Sequence, residues 1–280
     1  FFDEAAAKAV ELTKEHGYTF VHPFNDPEVI AGQGTIALEI IEQLPDVDAI
    51  VAPIGGGGLI SGLAVAAKSV NPKIKVIGVQ TENMPSMKES VDQGKIITYN
   101  GKATLADGIA VKTPGDLTFD ICRHYLDDIV TVDENEISQA ILWLLERCKT
   151  VAEGAGAVPT AALMNGKISG LHNKKVAALV SGGNIDVNNM QRVINQGLIK
   201  SRRKIFFQTI IPDVPGEMVK LLTIIANANA NVLSIVHERS QHGVDMGQTA
   251  VSLELETANE KHVEQLMSTL KDHHYYVTMK

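Results

Sequence analysis

Four consecutive glycines, Gly55, Gly56, Gly57 and Gly58, run into Leu59 between the apolar stretches 48–52 and 60–70. Glycines leave backbone N–H groups uncovered and accept φ values that other residues resist. A helix starting at such a turn adds unpaired N–H groups and the positive end of its dipole, so the turn suits a phosphate. A tight αβ turn with surplus glycine is the plain alternative. A second turn of similar type, Ser181-Gly182-Gly183-Asn184, closes the apolar run 175–180. A P-loop needs Lys-Ser or Lys-Thr after its last glycine, and Leu59-Ile60 stands there instead. A dinucleotide fingerprint is a near miss: Gly56 and Gly58 put Ser61 at the third small position, with Glu82 as the acid after the next strand.

These turns need strands and helices to hold them. Apolar spacing predicts helices over 3–16, 33–44, 86–93, 115–126 and 134–149, with another through Met164. Asp133 with Glu136 reads as an acidic capping box for the helix at 134. Short extended runs at 19–22, 48–52, 73–80, 128–132 and 175–180 alternate with the helices. That alternation predicts an α/β fold, a parallel sheet with helices on both faces, over residues 1–198. Ligands of such sheets sit at the carboxyl ends of the strands, where both glycine-rich turns fall. Residues 199–204 read as a basic linker. Residues 205–280 read as βαββαβ, a ferredoxin-like order.

Five stretches in one order resemble the threonine dehydratases, fold-type II enzymes dependent on pyridoxal 5'-phosphate (PLP). They are HPFNDPEVIAGQGTIALEI at 22–40, GGGGLISG at 55–62, LADGIAV at 105–111, EGAGA at 153–157 and SGGN at 181–184. The tail, with PDVPGEM at 212–218, is similar to an ACT domain, a regulatory module that often binds amino acids and pairs with a second copy. The resemblance implies that Gly55, Gly56, Gly57, Gly58 and the N–H of Leu59 hold the PLP phosphate. It also implies that Ser181 hydrogen-bonds the pyridine nitrogen; a neutral hydroxyl there makes a weaker electron sink, which suits β-elimination. Ser181 could instead cap the next helix. Glu153 is implied near the cofactor ring, or it only satisfies N–H groups of its own helix. Gly108 is either a close-approach backbone position or a turn. The family's Schiff-base lysine belongs to an N-terminal Ser-x-Lys-type segment that nothing in these 280 residues matches, so no catalytic residue is assigned. Lys8 and Lys14 read as solvated surface. The chain reads as N-terminally truncated and inactive alone. No metal site is expected, because Gln80 and Ser86 stand where acids would be needed.

The resemblance implies deamination of L-threonine, and of L-serine, to a 2-oxo acid and ammonia, with an amino-acid effector acting through 205–280. A serine/threonine racemase on the same fold and a non-catalytic amino-acid sensor remain the alternatives. A homo-oligomer, dimer or tetramer, is expected. A net charge of −8 argues against a nucleic-acid surface. No apolar run approaches the roughly 18 residues of a membrane span. Cys122 and Cys148 suit reduced thiols in a cytoplasmic protein.

Overall fold

Strand and helix alternate because apolar β-branched runs are punctuated by caps and glycines. The computed structural model describes residues 2–239 and 243–279. It divides into two units, 1–190 and 191–280.

In the first unit, α1 (Phe2–His16) and α2 (Pro27–Gln43) precede β1 (Ala49–Pro53), α3 (Gly58–Val70), β2 (Lys75–Thr81) and α4 (Ser86–Gln93). Then come α5 (Asp116–Tyr125), β3 (Asp128–Val132), α6 (Glu134–Trp143), α7 (Gly154–Met164), β4 (Val176–Ala178) and the start of α8 (Val187–Lys200). The sheet is wholly parallel in the order β3-β2-β1-β4. Crossovers from β1 to β2 and from β2 to β3 step one way, whereas β3 to β4 steps back. Right-handed connections therefore put α3 and α5 on one face and α6 and α7 on the other. Buried strand residues Ile50, Ala52 and Val76 join Ile60, Leu63 and Phe119 in one core.

Three elements differ from the expectation. The helix expected at 33–44 starts at Pro27, because Asp26 caps it by accepting from the N–H groups of Glu28 and Val29. The helix over 134–149 keeps its capping box but ends in a π turn, Leu144–Cys148, closed by Lys149 at φ +58°. No strand forms over 19–22. β4 is short, yet its place beside β1 is fixed by Asp48, whose carboxylate accepts the N–H of Lys175 at 2.8 Å and the Lys174 ammonium at 3.1 Å. Those bonds, the Lys175 N–H first, hold the Asp48 carboxyl below the usual carboxylate range.

The division between units falls within α8, eight residues before the expected boundary at 198/199. Residues 199 and 200 continue that helix and Lys204 opens the next strand, so the expected linker 199–204 is reduced to a turn. The second unit contains β5 (Lys204–Pro212), α9 (Glu217–Asn227), β6 (Asn231–Glu238), β7 (Gln248–Glu256), α10 (Glu260–Asp272) and β8 (Val277–Met279). Its antiparallel sheet runs β6-β7-β5-β8, which is the ferredoxin-like arrangement. Alternating burial along β5 turns Ile205 and Phe207 onto Leu221, Ile225, Leu253 and Leu266.

The packing of α5 on α3 has a chemical readout. Cys122 is 1 % exposed beside Ser61, and burial pushes its thiol up to about 12; Cys148 is exposed. A disulfide-exchange reagent at about pH 8 should therefore titrate Cys148 alone in the native chain, and Cys122 only after denaturation. Two fast thiols in native protein would contradict that packing.

Candidate functional site

The glycine turn sits where β1 ends. Gly57, at φ +98° and ψ −6°, is the N-cap of α3, and no side chain caps it. That left-handed backbone requires glycine. The other glycines are required by neighbours. A Cβ on Gly56 would lie 2.4 Å from the Phe24 ring, and one on Gly58 would lie 2.8 Å from the Phe24 Cα. A Cβ on Gly57 would meet Met87 at 2.7 Å and Thr118 at 2.8 Å. The protein thus fills the space on the side-chain face of the turn.

The N–H groups tell the other half. Among the described residues, those of Gly55, Gly56, Gly57, Gly58 and Leu59 donate to no protein acceptor, although Gly56, Gly57 and Gly58 are buried. Buried backbone donors are almost always paired, so this cluster fits an anion held at the positive end of α3.

Three supports hold the turn. Gln80, fully buried at the end of β2, donates from Nε2 to the carbonyls of Ile54 (3.3 Å) and Met84 (3.4 Å) and accepts the N–H of Lys88 (2.8 Å). Thr118, on α5, donates to the Gly56 carbonyl at 2.6 Å. The loop bearing Phe24 is pinned by His22, whose Nδ1 accepts from the N–H groups of Phe24 and Asn25. Asn25 in turn donates to Asp116 at 2.7 Å and accepts from the N–H of Leu117 at 3.1 Å.

The remaining sequence-predicted residues converge nearby. Ser181 follows β4, the neighbour of β1, and is exposed. It does not cap α8; Asp186 does, accepting from the N–H groups of Asn188 and Asn189. Glu153 is the N-cap of α7 by position, yet its carboxylate makes no bond to that helix. Its Oε2 accepts the N–H of Asn184 at 2.9 Å, and its own N–H donates to the Gly182 carbonyl at 3.0 Å. Of the two readings of Glu153, satisfying its own helix is thus excluded. Gly108 lies in a 3₁₀ turn, where an added Cβ would come within 3.3 Å of Glu153 Oε1. Its neighbour Ile109 lies 3.1 Å from where a Gly55 Cβ would stand. Gly55, Gly108, Glu153 and the 181–184 turn therefore form one neighbourhood at the carboxyl ends of β1 and β4.

Sequence reading did not single out Phe24, Thr118 or the role of Gln80. In the sequence Glu134 reads only as the first residue of a helix. Glu134 accepts from Thr81, Asn83 and Thr104 side chains and from the N–H of Leu105 (2.7 Å). The Leu105 carbonyl then sits 2.1 Å from where a Gly154 Cβ would be, so Glu134 fixes the segment packed on the start of α7. At the positions considered for a cation, Gln80 is bonded as above and Ser86 donates to the Val111 carbonyl at 2.6 Å. Lys8 is exposed and paired with Glu11, and Lys14 is exposed, as surface lysines are.

Residues 1–182 match the family described as pyridoxal-phosphate dependent enzyme. An L-threonine ammonia-lyase of Thermotoga maritima is 58% identical over 269 residues, which cover 96% of this chain and 67% of that protein. A processed form of threonine deaminase isoform 2 from Solanum lycopersicum superposes with a TM-score of 0.65 at 38% identity, over 70% of this chain and 57% of that one. A maize serine racemase superposes with a TM-score of 0.63 at 35% identity, over 70% of this chain and 61% of that one. The chain thus spans about two thirds of the curated relative's length and somewhat less of the solved chains.

Proposed function

The chain belongs to the pyridoxal-phosphate dependent enzymes, and on that footing we infer that it is part of a threonine ammonia-lyase. Such an enzyme converts L-threonine to 2-oxobutanoate and ammonia, and L-serine to pyruvate and ammonia. The observation that carries this reading is the row of largely buried N–H groups from Gly55 to Leu59 at the N-terminus of α3, which among the described residues donate to no protein acceptor. They would bind the PLP phosphate. Ser181 would donate its hydroxyl to the pyridine nitrogen. Glu153 would hold the 181–184 turn at the ring through Asn184, and Gly108 would let backbone approach the same place. When bound, PLP supplies an electron sink for the carbanion formed at the substrate α-carbon. The lysine that removes the α-proton is assigned to no residue of this chain.

The second unit supports an ACT-like reading by its βαββαβ topology. A cavity of about 520 Å³, bounded by Asp213, Pro215, Gly216, His237 and Arg239, would take an amino-acid effector there. Its binding would shift the catalytic unit by about 1–3 kcal/mol of coupling. The assembly would be a homo-oligomer in the cytoplasm. Among the described residues no helix is long and apolar enough to cross a membrane.

Purified residues 1–280 with PLP should release no 2-oxo acid from L-threonine. A longer polypeptide carrying a Ser-x-Lys-type segment ahead of Phe1 should release it, at a rate that responds to added amino acids. Oxo-acid release by residues 1–280 would overturn the assignment of no catalytic residue. Given L-serine, a longer chain that yields D-serine in place of pyruvate would favour the racemase reading, which the maize likeness supports. Absence of any PLP spectrum from either chain, with amino acids still bound, would favour the sensor.

A further inference from the structure

Four consecutive glycines are a poor way to aim a backbone. Each φ is nearly free, so a peptide plane between two of them can turn its N–H or its carbonyl toward a ligand. An anion tolerates only the first. In a planar trans peptide the carbonyl and the following N–H point in opposite directions, so holding the one fixes the other. Three carbonyls of the turn are held. The Ile54 carbonyl accepts from Gln80 Nε2, the Gly56 carbonyl from Thr118 Oγ1, and the Gly57 carbonyl from the Ser61 N–H in the first turn of α3. The last bond comes with the helix; the first two come from side chains on β2 and α5. The Gln80 amide cannot flip to present oxygen, because its Oε1 already accepts the Lys88 N–H.

We propose that Gln80 and Thr118 are positioning residues of the cofactor site: they tether the Ile54 and Gly56 carbonyls outward and so aim the Gly55 and Gly57 N–H groups at the phosphate. The assignment rests on the phosphate reading given above and adds what makes the glycine turn competent for it. Neither side chain touches the ligand. Thr118 is the sharper test, since valine keeps its shape and removes only the hydroxyl, while serine keeps the hydroxyl.

The experiment uses ¹⁵N-labelled residues 1–280, observed by amide NMR, with inorganic phosphate and PLP as probes. Without ligand, Thr118→Val should move the Gly57 ¹⁵N shift, which senses the bond to the preceding carbonyl, and Thr118→Ser should return it toward wild type. With phosphate, the Gly55 and Gly57 amides should shift saturably. The apparent Kd should rise about tenfold in Thr118→Val and stay near wild type in Thr118→Ser. Thermal melts of all three chains separate this effect from loss of folding. A Thr118→Val chain that melts lower yet binds phosphate as wild type does would overturn the proposal, and so would an unmoved Gly57 shift. If wild-type amides ignore both phosphate and PLP, the phosphate reading itself fails; the ligand-free Gly57 shift still scores the tether separately.

Discussion

Gly58→Ala is expected to weaken PLP binding by roughly 10- to 100-fold, although helix propensity alone argues for the opposite sign. Gly58 is the first residue of α3, where alanine would favour the helix by up to about 1 kcal/mol. The added methyl would lie 2.8 Å from the Phe24 Cα, 2.9 Å from its Cβ and 3.0 Å from its carbonyl oxygen. Two of those atoms are backbone, and that backbone is held by His22 Nδ1 and by the bonds of Asn25 to Asp116 and Leu117. Relief must therefore come from the turn itself. Overpacking of this kind costs about 1–3 kcal/mol, which exceeds the propensity gain and moves the N–H groups of Gly58 and Leu59. At about 1.4 kcal/mol per decade, the loss of affinity follows. Absorbance titration of residues 1–280 with PLP, beside a denaturant midpoint, checks it. Wild-type affinity in Gly58→Ala would mean that these N–H groups do not hold the phosphate.

The parts of the fold legible in the sequence are those set by neighbours in the chain. The strand–glycine–helix passage at 48–70, the capping box at Asp133 and the helix at 86–93 are all local patterns, and the structure keeps them. The order of alternation was enough to expect the parallel sheet. What supports the glycine turn was not legible, because it arrives from far along the chain: Gln80 reaches back 26 residues and Thr118 reaches back 62. Nothing in the spacing of a threonine on α5 says that it faces a glycine carbonyl. Phe24 belongs to the motif at 22–40, but its ring explains Gly56 only because the loop at 22–26 lies against the turn. The start of α2 had a local signal, Asp26-Pro27, that Gly32 and Gly34 obscured by breaking the apolar pattern. The competing readings of Ser181 and Glu153 could not be separated by sequence, since both depend on whether a side chain bonds its own helix or another segment.

Glycines also set the second large effect, because identical substitutions at Gly32 of α2 and Gly62 of α3 should act in opposite directions. Gly62→Ala is expected to destabilise the chain by about 3 kcal/mol or more, and Gly32→Ala to stabilise it by about 0.5–1 kcal/mol. A Cβ on Gly62 would stand 2.2 Å from the Ile30 carbonyl oxygen, 2.6 Å from the Gly34 nitrogen and 3.0 Å from the Gln33 carbonyl carbon. All three are backbone atoms of α2, so no rotamer change relieves the clash and the helices must separate. Around Gly32 none of the described residues lies within 4 Å, and its helical position gains only the lower backbone entropy of alanine in the unfolded chain. Separation would not stay local. Ile60, Leu63 and Ala64 on α3 belong to the core with Ala37 of α2, and α3 begins at the glycine turn. Gly62→Ala should therefore lose PLP binding along with stability, while Gly32→Ala keeps it. Urea midpoints for the two variants and wild type decide the matter. Equal midpoints would show that the two helices do not meet backbone to backbone, and the turn at the head of α3 would then lack the close support described for it.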